Sequence, residues 1–290
     1  MIDAVRGLGW PALARVRSGA PGPHVSRARG AAAELVEYRA YRQGDEPRLI
    51  DWKLVARTDR VFVRLSEEQA ELPTMLVLDA SASMAFPAET HAKWTYARQL
   101  GLGLAAVARH RGDPVGMIVA AEGAVRVVAP RTRRTVLEEM MVAVDAVPSG
   151  ATPLTPALRE AMRLGRRVAL VSDFLGDTAE LLAAGRVFTA AGGELFVVHV
   201  VDPIELDPGA RARLFADPEP QPGATELRRP MTPQAREEYL RRFGAWREQL
   251  ARDWRRMGAI YSMVVPGAEP LRQSVRRIVT PGQSAHGGGR

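Results

Sequence analysis

The sequence predicts an α/β fold with a doubly wound, mostly parallel central sheet and helices on both of its faces. Apolar runs typical of buried strands alternate with segments whose apolar residues recur every three or four positions, as in helices. The runs over 74–78, 168–172 and 195–201 are almost uninterrupted, which indicates strands covered on both faces. A chain of 290 residues is long enough for one large domain with an added segment.

The remaining elements continue this alternation. Thr155 and Thr232 each precede a proline, so both are predicted to cap the start of a helix. The other predicted elements are a helix over 93–110, a hairpin of strands over 115–121 and 124–129, helices over 132–147 and 178–191, a strand over 259–265 and a helix over 271–279.

The domain boundaries follow shifts in composition. Residues 1–33, rich in Gly, Ala, Arg and Pro, predict a flexible N-terminal arm, and the Gly-rich residues 281–290 predict a flexible tail. Residues 34–72 are predicted to form a small accessory segment that packs on the main domain. The main domain is expected over 73–280, with a proline-rich insertion at 202–231.

Composition restricts the class of protein. The chain contains no cysteine, which excludes disulfides and thiolate metal sites and fits a reducing compartment. No stretch approaches the ~20 apolar residues that span a bilayer, so we expect a cytoplasmic protein without a transmembrane segment. A net charge of +7 raises the possibility of nucleic-acid binding. The charge is almost entirely arginine spread over several predicted helices, which favours solvated surfaces and ranks nucleic acid behind protein and metal as a partner.

Polar residues follow the first buried strand at alternate positions, as Asp79, Ser81 and Ser83. Residues two apart in extended backbone point the same way, so these oxygens converge where open α/β sheets place their ligands. Thr152 lies in a later loop and Asp173 ends the second apolar strand, so three loops could share one ion. Hard oxygens suit Mg²⁺, or alternatively Mn²⁺ or Ca²⁺. The alternative is a set of turn and capping side chains without a ligand.

In this order, the five residues resemble the metal-ion-dependent adhesion site of von Willebrand factor type A domains, written Asp-x-Ser-x-Ser, then Thr, then Asp. The resemblance implies that the hydroxyls of Ser81, Ser83 and Thr152 contact the ion directly. It also implies that Asp79 and Asp173 act partly through water. One coordination position would stay open, and a carboxylate of a partner protein could fill it.

A second motif precedes the first strand, and its residues of interest are Tyr41, Gly44, Asp45, Arg48, Asp51, Trp52 and Arg57. Its pattern of Tyr-x-x-Gly-Asp, Arg-x-Ile-Asp-Trp and Ala-Arg resembles the signature of the bacterial family called domain of unknown function 58. That resemblance implies a metal-binding interaction module, in a family often encoded beside MoxR-type AAA+ ATPases. We interpret the charged residues as a salt-bridge clamp with Trp52 as its apolar plug, and the alternative is a surface for an acidic partner.

The sequence therefore predicts a metal-dependent protein-interaction module that is not an enzyme and serves as an adaptor or client of a MoxR-type AAA+ ATPase. A metal-dependent hydrolase is the alternative, since Ser81, Asp173 and either His91 or His199 could form a triad on paper. Neither a Gly-x-Ser-x-Gly elbow nor a Walker-type loop supports it. His199 also lies inside an apolar strand, where a hydrogen-bonded core histidine is expected. A nucleic-acid-binding protein ranks third.

Overall fold

The structure is a computed structural model, and it describes residues 2–13, 37–41, 50–58, 60–65, 72–122, 124–145, 148–152, 154–176, 178–209, 214–215 and 229–281. These residues fall into two compact units. The larger unit contains the described residues of 2–13 and 72–281, and the smaller unit contains those between 37 and 65.

The smaller unit joins two short strands and one helix. Strand β1 (Glu37–Ala40) pairs antiparallel with β2 (Phe62–Leu65), and helix α1 (Trp52–Thr58) lies between them in the chain. Asp51 caps the helix, because its carboxylate accepts hydrogen bonds from the backbone N–H groups of the second and third helical residues.

The larger unit is built on a six-stranded sheet. In chain order, the strands of the larger unit are β3 (Thr74–Asp79), β4 (Val115–Ala121), β5 (Ala124–Arg131), β6 (Arg167–Ser172), β7 (Glu194–Val200), β8 (Leu214–Phe215), β9 (Arg229–Pro230) and β10 (Ile260–Val264). Six of them form the sheet in the order β10-β7-β6-β3-β4-β5, and β8 pairs with β9. Neighbouring strands of the sheet are parallel except β4 and β5, which form the predicted antiparallel hairpin.

Helices cover both faces of this sheet. They are α2 (Ala92–His110), α3 (Thr135–Ala143), α4 (Leu154–Leu164), α5 (Ala179–Ala190), α6 (Pro203–Leu206), α7 (Pro233–Arg256) and α8 (Leu271–Val279). Alternate residues of β3 enter opposite cores: Leu78 packs with α2, α3 and α8, whereas Val77 packs with α4, α5 and α7. The predicted doubly wound, mostly parallel architecture is therefore confirmed. In the described part of the chain, none of the helices is both long and apolar enough to cross a lipid bilayer.

The first described residues belong to the larger unit. Trp10 is fully buried. Its ring lies 4.8 Å from the guanidinium of Arg167, which donates hydrogen bonds to the backbone carbonyls of Trp10 and Pro11 at 3.3 and 3.0 Å. The flexible arm predicted over 1–33 is therefore not found at 2–13, because a buried ring and a buried cation fix this segment. The rest of the predicted arm lies outside the described residues.

Several element ends differ from the predicted ones. Helix α3 is shorter than the predicted 132–147. Helix α4 begins at Leu154, so Thr155 and Pro156 lie in its first turn rather than at its cap. Thr232 does cap α7, since its hydroxyl accepts a hydrogen bond from a backbone N–H of the first turn at 3.1 Å.

The predicted insertion over 202–231 is described in part. It begins with α6, whose first turn is closed by a reciprocal pair of hydrogen bonds. The Asp202 carboxylate accepts from the backbone N–H of Ile204 at 2.9 Å, and the Glu205 carboxylate accepts from the backbone N–H of Asp202 at 2.7 Å. Of the residues that follow, 210–213 and 216–228 lie outside the described part. The short α6 is therefore a defined element within a segment that the sequence indicates only as a loop.

Candidate metal centre

Three predicted site residues form a tight turn after β3. Asp79 ends the strand, and its Oδ1 accepts a hydrogen bond from the backbone N–H of Ser81 at 3.0 Å. The Oγ atoms of Ser81 and Ser83 are 3.0 Å apart and share a hydrogen bond. All three side chains are buried. The two hydroxyls therefore meet, although Ser83 lies in a short 3-10 helix (Ala82–Ala85) and not in the extended backbone on which the prediction rests.

Thr152 is held beside this turn by its own loop. The backbone N–H of Ala82 donates to the carbonyl of Gly150 at 2.9 Å, which joins the two segments. Gly150 has a φ of +58°, a left-handed conformation that strains other residues, so the loop favours glycine here. The Thr152 hydroxyl donates to Asp79 Oδ1 at 2.9 Å. A residue distant in sequence thus joins the turn after β3.

Asp173 follows β6, which is the neighbour of β3 in the sheet. The residue before it, Ser172, donates a hydrogen bond to Asp79 Oδ2 at 2.6 Å, so both carboxylate oxygens of Asp79 have donors. Sequence reasoning missed Ser172. The available signal was its position as the last residue of the strand that ends on a predicted site carboxylate. The structure therefore brings the five predicted side chains together and adds a fourth hydroxyl, that of Ser172.

A buried lysine also reaches the site. Lys93 lies in the first turn of α2 with a fully buried side chain. Its Nζ donates to Asp173 Oδ2 at 2.6 Å and to Glu205 Oε1 at 2.7 Å. Sequence reasoning missed both Lys93 and Glu205. The signal for Lys93 was that a chain with lysines only at 53 and 93 carries one of them at the start of the helix that follows the Asp-x-Ser-x-Ser turn.

The site opens into a cleft with a volume of about 410 Å³. Asp79, Ser81, Thr152 and Asp173 line it, together with residues from the first turns of α4 and α5. Ser83 does not line the cleft and is 1% exposed. A ligand in the cleft could therefore reach four of the five predicted residues directly.

The buried charges of this cluster are not balanced. Burial and the neighbouring Asp173 carboxylate raise the pKa of Asp79 to about 6, although hydrogen bonds from Ser172 and Ser81 oppose this shift. Burial also raises the pKa of Glu205, and Lys93 opposes it. The cluster thus contains one ammonium group, that of Lys93, and three carboxylates, those of Asp79, Asp173 and Glu205. An excess of buried carboxylates is the electrostatic condition that an added cation relieves.

The donor set fits a hard divalent cation. It consists of carboxylate and hydroxyl oxygens, which are the ligands that Mg²⁺ and Ca²⁺ prefer. Among the described residues, no three or more His, Cys, Asp and Glu side chains are arranged to hold a metal. An ion here would therefore depend on the hydroxyls of Ser81, Ser83 and Thr152. Mutual hydrogen bonds also satisfy these hydroxyls without an ion, as the turn-and-cap alternative requires, so the charge excess is what favours the cation.

The two histidines weighed for a hydrolase have other surroundings. His199 is 1% exposed, and its Nδ1 lies 2.6 Å from the hydroxyl of Tyr261. Burial lowers the pKa of His199 to about 4, so the ring is neutral in the folded chain. It is therefore the hydrogen-bonded core histidine that the apolar strand predicts. His91 precedes α2 with a φ of +49° and does not line the cleft.

The second motif belongs to the smaller unit. Gly44, Asp45 and Arg48 lie outside the described residues, so their part in the predicted clamp stays a prediction. Tyr41 and Arg57 are both exposed. The motif is therefore described at its two ends and not at its centre.

Trp52 is not buried within the smaller unit. Its side chain is 66% exposed at the start of α1, so the predicted apolar plug against the main domain stays a prediction. Asp51 has a local role that the clamp interpretation did not include, since its carboxylate caps α1. A short side chain with an acceptor oxygen suits a cap, so this local role accounts for an aspartate at position 51.

Several solved structures are similar to this chain at low sequence identity. The crystal structure of conserved hypothetical protein BatB from Bacteroides thetaiotaomicron is 18% identical, covers 71% of this chain and 96% of that chain, and has a TM-score of 0.45. An aerotolerance-related membrane protein from Bacteroides fragilis is also 18% identical over 71% of this chain and 95% of that chain, with a TM-score of 0.44. The SpRpn10 VWA domain is 11% identical over 70% and 92%, with a TM-score of 0.39.

Two mycobacterial proteins are more similar to this chain in sequence than these solved structures are. An uncharacterized protein of Mycobacterium tuberculosis is 27% identical over 246 residues, which cover 82% of this chain and 76% of that protein. An uncharacterized protein of Mycobacterium bovis gives the same values. Residues 37–249 match the family described as Protein of unknown function DUF58. The match spans more than half of the chain and includes both motifs. The chain therefore belongs to the DUF58 family.

Proposed function

We propose that this protein is a metal-dependent protein-interaction module. A divalent cation, Mg²⁺ or alternatively Mn²⁺ or Ca²⁺, binds at the cleft, and a carboxylate of a partner protein completes its coordination. The observation that carries the proposal is that five oxygen-bearing side chains lie together and all but Ser83 line one cleft, namely Asp79, Ser81, Ser83, Thr152 and Asp173.

The residues at this site have different roles. The bound ion supplies a positive charge that attracts a carboxylate oxygen of the partner. Asp79 and Asp173 provide negative charge for the ion, and Ser172 together with the backbone N–H of Ser81 fixes the Asp79 carboxylate. The hydroxyls of Ser81 and Thr152 offer their lone pairs at the wall of the cleft.

The proposed partner is a MoxR-type AAA+ ATPase or its target complex, with this chain as adaptor or client. The support for this step is the resemblance of the motif around Asp51 and Trp52 to the family signature. A cytoplasmic location belongs to the same proposal and fits a chain without cysteine. Nucleic acid is not the proposed partner, because the arginines are distributed along the chain rather than gathered in one segment.

Calorimetric titration with Mg²⁺ and with Mn²⁺ tests the metal. Wild type should bind one ion per chain, and Asp79→Ala should lose binding because it removes a carboxylate that three donors hold in place. Glu194→Gln is the matched control, since it alters a buried carboxylate of the same sheet at the other strand end. Equal heats for wild type and Asp79→Ala would refute the site.

A pull-down with the purified ATPase tests the interaction. Capture should require Mg²⁺, stop on chelation, and fail with Asp79→Ala or Thr152→Ala while surviving moderate salt. Binding that ignores chelation but weakens steeply with salt would instead indicate an arginine-driven interaction of the kind nucleic acids make.

A metal-dependent hydrolase is the alternative function. The observation against it is that His199 is held by Tyr261 in the core and is not part of the cleft wall. We expect the isolated chain to show no turnover of phosphoester or peptide substrates with Mg²⁺ or Mn²⁺. Turnover that Asp79→Ala abolishes would replace the interaction module by an enzyme.

A further inference from the structure

Lys93 presents a problem for the proposed metal site. Its ammonium is fully buried and lies 2.6 Å from Asp173 Oδ2, so it places a positive charge beside a carboxylate that the proposal gives to the ion. Like charges repel strongly at short range in surroundings with little water. A lysine at this position should therefore weaken the binding of a cation unless another group cancels its charge.

Glu205 is placed to cancel that charge. Its Oε1 lies 2.7 Å from Lys93 Nζ, and its side chain is 14% exposed. Its Oε2 accepts the backbone N–H of Asp202 at 2.7 Å. The backbone carbonyl of Glu205 accepts a hydrogen bond from the Tyr239 hydroxyl at 2.8 Å. Hydrogen bonds therefore fix both carboxylate oxygens and the backbone carbonyl of Glu205. They keep its carboxylate in contact with the Lys93 ammonium.

The charges of the four groups follow from these contacts. Lys93 contacts Asp173 and Glu205, and Asp79 adjoins Asp173 at the end of the neighbouring strand. When all are ionised, three carboxylates and one ammonium carry two net negative charges, which a divalent cation neutralises. Without the Glu205 charge, the same cluster would carry one net negative charge and would attract the cation less.

We propose that Glu205 is a positioning residue of the metal centre: it holds and neutralises the Lys93 ammonium, so that the cleft can bind a divalent cation despite a buried lysine. The inference rests on the proposed function, because it concerns a cation at the same cleft. It adds a residue that lies outside both sequence motifs, in the short helix α6. Through Glu205, the insertion over 202–231 contributes to the charge of the metal site.

Glu205→Gln tests this role with almost no change in shape. Mn²⁺ affinity, measured by calorimetric titration, should fall about fivefold or more, since removal of one nearby charge changes the attraction of a dication by about this factor even in water. Glu194→Gln makes the same substitution in the other buried ion pair, 2.8 Å from Arg167 at the opposite strand end. It should lower the melting temperature and leave Mn²⁺ affinity unchanged, which separates a loss of stability from a loss of binding.

A double variant tests whether Glu205 raises Mn²⁺ affinity by neutralising the charge of Lys93. Lys93→Met combined with Glu205→Gln restores two net negative charges, so Mn²⁺ affinity should return most of the way to that of wild type. Wild-type affinity in Glu205→Gln, or a double variant as weak as Glu205→Gln, would overturn this inference and leave the proposed function intact. A wild-type protein that binds neither Mg²⁺ nor Mn²⁺ would overturn both.

Discussion

The two ends of the six-stranded sheet both bury a cation, but they differ in what surrounds it. At the amino ends of the strands, Arg167 faces Glu194 at 2.8 Å and Asp113 at 3.7 Å. It also donates to two backbone carbonyls of the N-terminal segment. At the carboxyl ends, Lys93 faces two carboxylates and a third, Asp79, lies beside them.

The comparison shows that a buried ion pair does not by itself mark a functional site. The amino-end cluster fastens a chain segment, and Trp10 closes it from solvent. The carboxyl-end cluster opens into a cleft and raises the pKa of Asp79 to about 6 through burial and the Asp173 charge. Because Arg167 also faces two carboxylates, the open cleft lined by oxygen-bearing side chains is what distinguishes the candidate site.

The largest effect should follow from breaking the amino-end cluster. Arg167→Met leaves Glu194 buried without its ion-pair partner and should lower the free energy of unfolding by about 3–5 kcal/mol. Chemical denaturation measures this loss, and a Mn²⁺ titration of the folded variant should give wild-type affinity. A change in metal affinity would contradict the separation of the two ends.

A pH series should sharpen the comparison at the carboxyl end. Burial lowers the pKa of His199 to about 4, so between its ordinary value of 6.5 and 4 the unfolded chain binds a proton that the folded chain does not. Wild type should therefore lose stability relative to His199→Gln as pH falls through this window, by on the order of 3 kcal/mol in total. Glutamine does not titrate and can still bond the Tyr261 hydroxyl. Denaturation curves at about pH 7 and about pH 4 give the difference, and a constant gap would contradict it.

The smallest effect on the free energy of unfolding should come from substitutions in the smaller unit. Because Trp52 is 66% exposed, Trp52→Ala should change the free energy of unfolding by no more than about 0.5 kcal/mol. Asp51→Ala, which removes the cap of α1, is the matched comparison and should cost about 1 kcal/mol. A loss of several kcal/mol at Trp52 would return it to the role of an apolar plug.

The parts of the site that could be predicted are those set by strand ends. Asp79, Ser81 and Ser83 follow one apolar run and Asp173 follows another, and parallel strands bring their carboxyl ends to the same edge. The sheet could be predicted for the same reason, because continuous apolar runs report burial on both faces directly.

What could not be predicted depends on contacts between distant segments. Lys93 meets Glu205 across 112 positions, and Trp10 meets Arg167 across 157. Neither pair leaves a local pattern: Trp10 stands in a Gly- and Ala-rich stretch, and Glu205 in a proline-rich one. Trp52 shows the opposite case, since its size favours burial and its side chain is 66% exposed at the start of a short helix.

The burial of Trp10 also determines where a label can be attached to the chain. Trp10 lies against the start of β6, and Asp173 follows the other end of that six-residue strand, so about 20 Å separates them. A dye or a surface tether attached at Leu13, whose backbone N–H donates to Glu194 at the start of β7, would sit at the strand ends remote from the cleft. Labels placed there should allow binding to be followed by fluorescence or on a sensor chip without contact between the label and the metal.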